Sequence, residues 1–123
     1  MIQLDYKSGV PIYDQLVNGI IRLKMLGALR PGDSLPSVRS MAFKLSINPN
    51  TVQRAYQLLE ERGIIYSAPG KGSFIADNKE GDDAIHNMAV QDFKSAVNDA
   101  LLKGLTSAEL TEIIKSIQKE DKR

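Results

Sequence analysis

A chain of 123 residues holds one ordinary domain or a small domain with an appendage. Its 42% hydrophobic and 25% charged residues exclude wholesale disorder, its apolar runs are too short for a membrane span, and zero cysteines exclude disulfides and thiolate metal sites. The net charge of +1 hides an asymmetry: residues 1–76 carry nine Lys and Arg against five Asp and Glu, residues 77–123 seven against ten.

A basic front half suits a polyanion, and an acidic rear half suits a part that stays off it. Met1 to Lys7 has neither the basic nor the apolar stretch of a signal peptide, so a cytoplasmic location is expected.

The first element begins at Pro11, which suits a first helical residue because its missing N–H costs nothing there. Ile12, Leu16, Ile20 and Leu23 then recur at three- and four-residue steps and form one apolar face, with Asp14, Asn18, Arg22 and Lys24 largely off it. Tyr13 belongs to the core or its rim. The helix should stop near Gly27, ahead of the turn Arg30-Pro31-Gly32-Asp33.

A second helix is expected from Leu35-Pro36 to about Leu45, with Val38, Met41, Ala42 and Leu45 inward. The third has sharper limits: Asn48 as N-cap, Pro49 at the first helical position and Gly63 just past the end. Val52, Ala55, Tyr56 and Leu59 make its buried stripe, while Asn50, Gln53, Arg54, Gln57, Glu60 and Glu61 point away. Two short helices joined by Ser46-Ile47-Asn48 have the spacing of a helix-turn-helix. In such a motif the start of the second helix enters the major groove. Amide side chains there pair with adenine, and an arginine pairs with guanine or binds phosphate. Asn50, Gln53 and Arg54 carry those groups, and Thr51 reaches a phosphate or a thymine methyl.

Ile64-Ile65-Tyr66 and Phe74-Ile75 read as two strands, with Ser67 to Ser73 as the loop between them. Gly70-Lys71-Gly72-Ser73 lacks the GxxxxGK[ST] spacing, and no helical pattern follows directly, so it is no nucleotide-binding loop. Beside a recognition helix, a glycine-hinged tip with one cation reads as a DNA wing. The fold class expected is mainly α with a small β-hairpin wing.

These residues resemble the winged-helix head of the GntR family of bacterial transcription regulators. The resemblance runs through Pro11-Ile12-Tyr13, Leu29 to Arg39, Asn50-Thr51-Val52, Ala55-Tyr56, Leu59-Glu60, Gly63 and Gly70 to Phe74. It implies DNA contacts from Arg39 of the LPSxR segment and from Asn48, Asn50, Thr51 and Gln53 at the first turn of the recognition helix; Ser37 and Arg54 beside them complete the candidate set. From the wing it implies Gly70 and Lys71, with Gly72 and Ser73 beside them. Many members have arginine where this chain has Pro49, so one guanine contact is missing and the operator preference differs.

Asp77 to Asp83 reads as a polar linker between a head (1–76) and a tail (84–123). In the tail, Ile85, Met88, Ala89, Phe93, Ala96, Val97, Ala100 and Leu101 follow a helical repeat that Gly104 ends. Thr106 and Glu109 make a capping box, with Leu105 and Leu110 as its hydrophobic staple. The last helix presents Leu110, Ile113, Ile114 and Ile117 and fades into Lys119 to Arg123. Two such helices cannot bury both stripes alone. Ile85, Met88, Phe93, Val97, Leu101, Leu110, Ile113, Ile114 and Ile117 are therefore read as a homodimer interface, the alternative being a monomer with both helices folded back on the head. The tail length resembles the YtrA-like branch of the family, which implies a repressor acting on an ABC transporter operon and its own gene.

The expected partners are a double-stranded DNA operator, a second copy of the chain and an unidentified small-molecule effector, without membrane, metal or cofactor. One histidine (His86), no cysteine and no nucleophile-base pair leave no case for an enzyme. The remaining alternative is a winged-helix module for protein or RNA. Such modules often lose the polar recognition face, which this chain keeps.

Overall fold

The computed structural model describes residues 2–121; Lys122 and Arg123, which end the expected polar fade, lie outside the described residues. The element order is α1 (Ile12–Met25), α2 (Val38–Leu45), α3 (Pro49–Glu61), β1 (Ile65–Ala68), β2 (Gly72–Ile75), α4 (Lys79–Leu102) and α5 (Ser107–Asp121). It forms two compact units, Met1–Asp82 and Asp83–Arg123. The first is a three-helix head with a hairpin, as expected.

Its core comes largely from the faces that the periodicity marks: Leu16 and Ile20 of α1 (joined by Val17), Met41 and Ala42 of α2, and Val52, Ala55, Tyr56 and Leu59 of α3, closed by Leu35, Ile64, Ile65 and Ile75, while Ile12, Leu23, Val38 and Leu45, expected inward, are only half-buried. Helix α3 packs against both α1 and α2. Pro11 is the N-cap of α1, one residue earlier than the position expected of it, with extended backbone at ψ 143°.

Further expectations are corrected in the head. First, Leu35-Pro36 does not start α2. Ser37 is the N-cap, its Oγ accepting from Ser40 N–H at 3.1 Å. The preceding backbone pairs with β2 instead: Gly32 N–H donates to Ile75 O, Ile75 N–H to Asp33 O and Leu35 N–H to Ser73 O, all at 2.8–2.9 Å. Backbone pairing that no side-chain pattern announces has overridden the helix-starting value of proline.

Second, Lys24 is buried although the pattern puts it off the apolar face. Its ammonium pairs with Asp82 at 2.8 Å, the two side chains being 3% and 28% exposed. A buried ammonium requires such a partner.

The hairpin strands are longer than expected and the loop shorter. β1 and β2 pair from Ile65↔Ile75 through Tyr66↔Phe74 and Ser67↔Ser73 to Ala68↔Gly72. Only Pro69, Gly70 and Lys71 remain between them. Lys71 N–H donates to Ala68 O at 2.9 Å and Gly70 has φ +76°. Proline followed by a positive-φ glycine is the requirement of a type II turn. The opposed rings of Tyr66 and Phe74 stack at 5.6 Å between centroids, which stiffens the hairpin.

Residues 79–83 of the expected linker are helical and open α4. Asn78 caps that helix through Gly81 N–H (3.0 Å) while its Nδ2 donates to Gly63 O (3.3 Å). In the second unit, Gly104 (φ +97°) ends the helix. The Thr106–Glu109 capping box forms as expected: Thr106 N–H donates to Glu109 Oε1 and Glu109 N–H to Thr106 Oγ1.

Candidate nucleic-acid interface

The start of α3 owes its geometry to Asn48-Pro49-Asn50. Asn48 Oδ1 accepts from Asn50 N–H at 2.8 Å and Pro49 takes the first helical position. That bond occupies an Asn48 acceptor, so its Nδ2 donors are what it offers a partner. Asn50, Gln53, Arg54 and Gln57 are exposed on the outer face, and Thr51 is half-buried. The inner face lies in the core, so the helix has no freedom to rotate its polar side away.

Arg39 is the second residue of α2 and is exposed. The backbone ahead of it is tied down by Tyr56, whose hydroxyl donates to Pro36 O at 2.7 Å. Burial pushes the Tyr56 phenol up to about 12, because the ring and its oxygen are shielded from the water that would stabilise phenolate. The hydroxyl therefore stays a donor at neutral pH. Ser37, placed with Arg39 by the sequence, spends an acceptor on its own helix.

On the wing, Gly70 and Lys71 stand exposed in the turn, whereas Gly72 and Ser73 are part of β2 and Ser73 is half-buried. A groove of about 330 Å³ separates the hairpin from the helix pair, lined by Val38, Gln53, Tyr56, Gln57, Glu60 and the Ser67–Ser73 rung. Glu60 crosses it, Oε1 accepting from Ser67 N–H at 3.1 Å.

The sequence reading missed three anchors: Tyr56 on Pro36, Glu60 on Ser67, and Tyr13, over whose ring Arg54 lies at 5.0 Å. For Glu60 a signal was present. It falls seven residues after Gln53, two turns along the same face.

A capped helix with an exposed amide-rich first half, a short helix set across it and a turn-tipped hairpin carrying one cation define a winged helix-turn-helix. The chain belongs to the GntR family of bacterial regulatory proteins, which are DNA-binding regulators of transcription; the family model matches residues 11–75. It is 38% identical to the transcriptional repressor YtrA of Bacillus subtilis, over 99% of this chain and 95% of that one. Among solved structures it is similar to a transcriptional antiterminator from Listeria monocytogenes (30% identity, TM-score 0.76, 96% and 90% of the two chains). It is also similar to a GntR family regulator from Listeria monocytogenes (33%, 0.74, 90% and 98%).

In the second unit α4 has no buried residue. Of the nine positions read as an interface, Met88 and Phe93 are 63% and 55% exposed, Leu101, Ile113, Ile114 and Ile117 are exposed, and Ile85, Val97 and Leu110 are half-buried.

Proposed function

We propose that the protein is a homodimeric repressor that occupies an inverted-repeat operator. The observation that carries this reading is the pairing of one exposed reading face with one uncovered apolar tail. Asn50 and Gln53 on α3, Arg39 on α2 and Lys71 on the wing supply base contacts and phosphate contacts for a single half-site. A single half-site binds weakly, and a two-fold dimer doubles the contacts on a site of matching symmetry. The apolar residues of α4 and α5, Met88 and Phe93 foremost, supply the surface for that pairing, since solvent exposure of so many large apolar groups is unfavourable.

Repression is carried over from the likeness to the Bacillus subtilis repressor along nearly its whole length. From the YtrA-like resemblance we take the target to be an ABC transporter operon and the regulator's own gene, with a small-molecule effector still to be identified.

The test joins two measurements. Sedimentation velocity should give a dimer, and Phe93→Asp should give a monomer. A mobility-shift titration at two salt concentrations should give a complex that survives excess competitor DNA and is not displaced by single-stranded RNA. A footprint on the bound duplex should show two symmetric half-sites. A monomeric wild type, or a shift that nonspecific competitor abolishes, sinks the proposal.

A further inference from the structure

Two polar side chains of α3 are held by neighbouring elements: Glu60 by Ser67 N–H of the hairpin and Arg54 by a ring of α1. The Arg54 guanidinium carbon lies 5.0 Å from the centroid of the Tyr13 ring on α1. At about 100° per residue, the buried stripe Val52, Ala55, Tyr56 and Leu59 marks the inward direction. Gln53 and Glu60 project on the hairpin side, where both line the groove beside Ser67 and Ser73. Arg54 is one step further round and meets α1. The outer surface of α3 thus has an amide edge beside the wing and a cationic edge beside α1.

A helix lying in a major groove has base edges ahead of it and a sugar-phosphate wall along each flank. The flank is where a bare cation is useful and where an amide reads nothing. An unrestrained arginine loses much rotamer freedom when a partner fixes it. A guanidinium laid over a ring has lost part of that freedom already, and its N–H fork still donates from the edge of the plane.

We propose that Tyr13 is a positioning residue for DNA binding, holding Arg54 against a backbone phosphate on the α1 side of the groove. Arg54 then supplies affinity and register, and Asn50 and Gln53 supply base discrimination. The proposal rests on the reading of α3 as the recognition helix.

The test uses the full chain, a duplex that the wild type enriches from a random-sequence pool, and duplexes with single base-pair changes in it. Arg54→Ala is expected to weaken binding about tenfold on every one of these duplexes, and to lower the salt slope by about 1. Tyr13→Leu is expected to weaken binding about two- to fivefold with the slope retained, and to add nothing in the Arg54→Ala background. Tyr13→Phe keeps the ring face and should bind within about twofold of wild type.

A tyrosine that only supports the fold would weaken both backgrounds by the same factor. Equal loss in both backgrounds, or an Arg54→Ala loss that depends on the base pair, overturns the proposal. A wild type that enriches no duplex overturns the DNA-binding reading and the proposal with it.

Discussion

Replacing Asp82 by alanine leaves the Lys24 ammonium without the carboxylate that lies 2.8 Å away. Removing one partner of a fully buried pair costs about 3–5 kcal/mol. Asp82 keeps 28% of its side chain in solvent, so water already screens the pair in part, and about 2 kcal/mol is expected. In a unit of 82 residues, about 1 kcal/mol moves Tm by about 4–8 °C, so Asp82→Ala should melt about 8–16 °C below wild type. Lys24→Met has the opposite character. It removes the charge that burial penalises, keeps the alkyl packing and leaves a carboxylate that reaches water, so it should cost less than about 1 kcal/mol.

Melting followed by circular dichroism, at one protein concentration because association shifts Tm, measures both variants. The gap between Asp82→Ala and wild type should persist in 1 M salt, because ions screen a buried pair weakly. If Lys24→Met loses as much as Asp82→Ala, or if salt erases the gap, the reasoning is wrong.

Three further outcomes follow from the head. Gly63 has φ +73°, and a Cβ there would lie 2.5 Å from Asn78 Nδ2, whereas Gly27 at φ +78° has open space around it. Gly63→Ala should therefore cost about 2 kcal/mol and Gly27→Ala about 1, read as urea midpoints at constant slope. The Tyr56 phenol titrates at about 12 in the folded head against 10.0 ordinarily. The unfolded chain thus releases its proton first, and stability present below pH 10 is lost as pH rises through about 12. Tyr56→Phe should lack this fall and sit about 1 kcal/mol below wild type at neutral pH; parallel pH profiles would refute the assignment. Lys71→Ala should weaken binding to all duplexes alike and flatten the salt dependence, while Gln53→Ala should redistribute preference among bases. A uniform loss for Gln53→Ala removes it from the reading set.

Much of the head was legible because local signals and packing agree there. Asn48-Pro49 and Gly63 bracket α3 as their capping chemistry requires, and the apolar spacing gives its buried stripe. The capping box of Thr106 and Glu109 was equally plain. The failures share a physical cause, which is long-range pairing. The backbone of residues 32–35 takes its course because β2 is beside it, and Lys24 is buried because Asp82 lies 58 residues later in the chain and beside it in space. The polar residues 79–83 are helical because Asn78 caps them while tied to Gly63 O. Composition alone describes such a stretch as loose. Tyr13 illustrates a subtler limit: its place at the edge of the apolar stripe was readable, but the arginine above it comes from another helix.

The bonds from Gly32, Asp33 and Leu35 to β2 join the base of the hairpin to the backbone that enters α2. On the proposed function, Arg39 and Lys71 would then act as the two jaws of a caliper with a stiff bow. A duplex whose grooves do not match its opening has to bend or narrow to be gripped, and the energy of that distortion depends on base steps that no side chain touches. Some of the sequence preference of this regulator would then be stored in the stiffness of DNA, at positions where a contact map of the protein is blank.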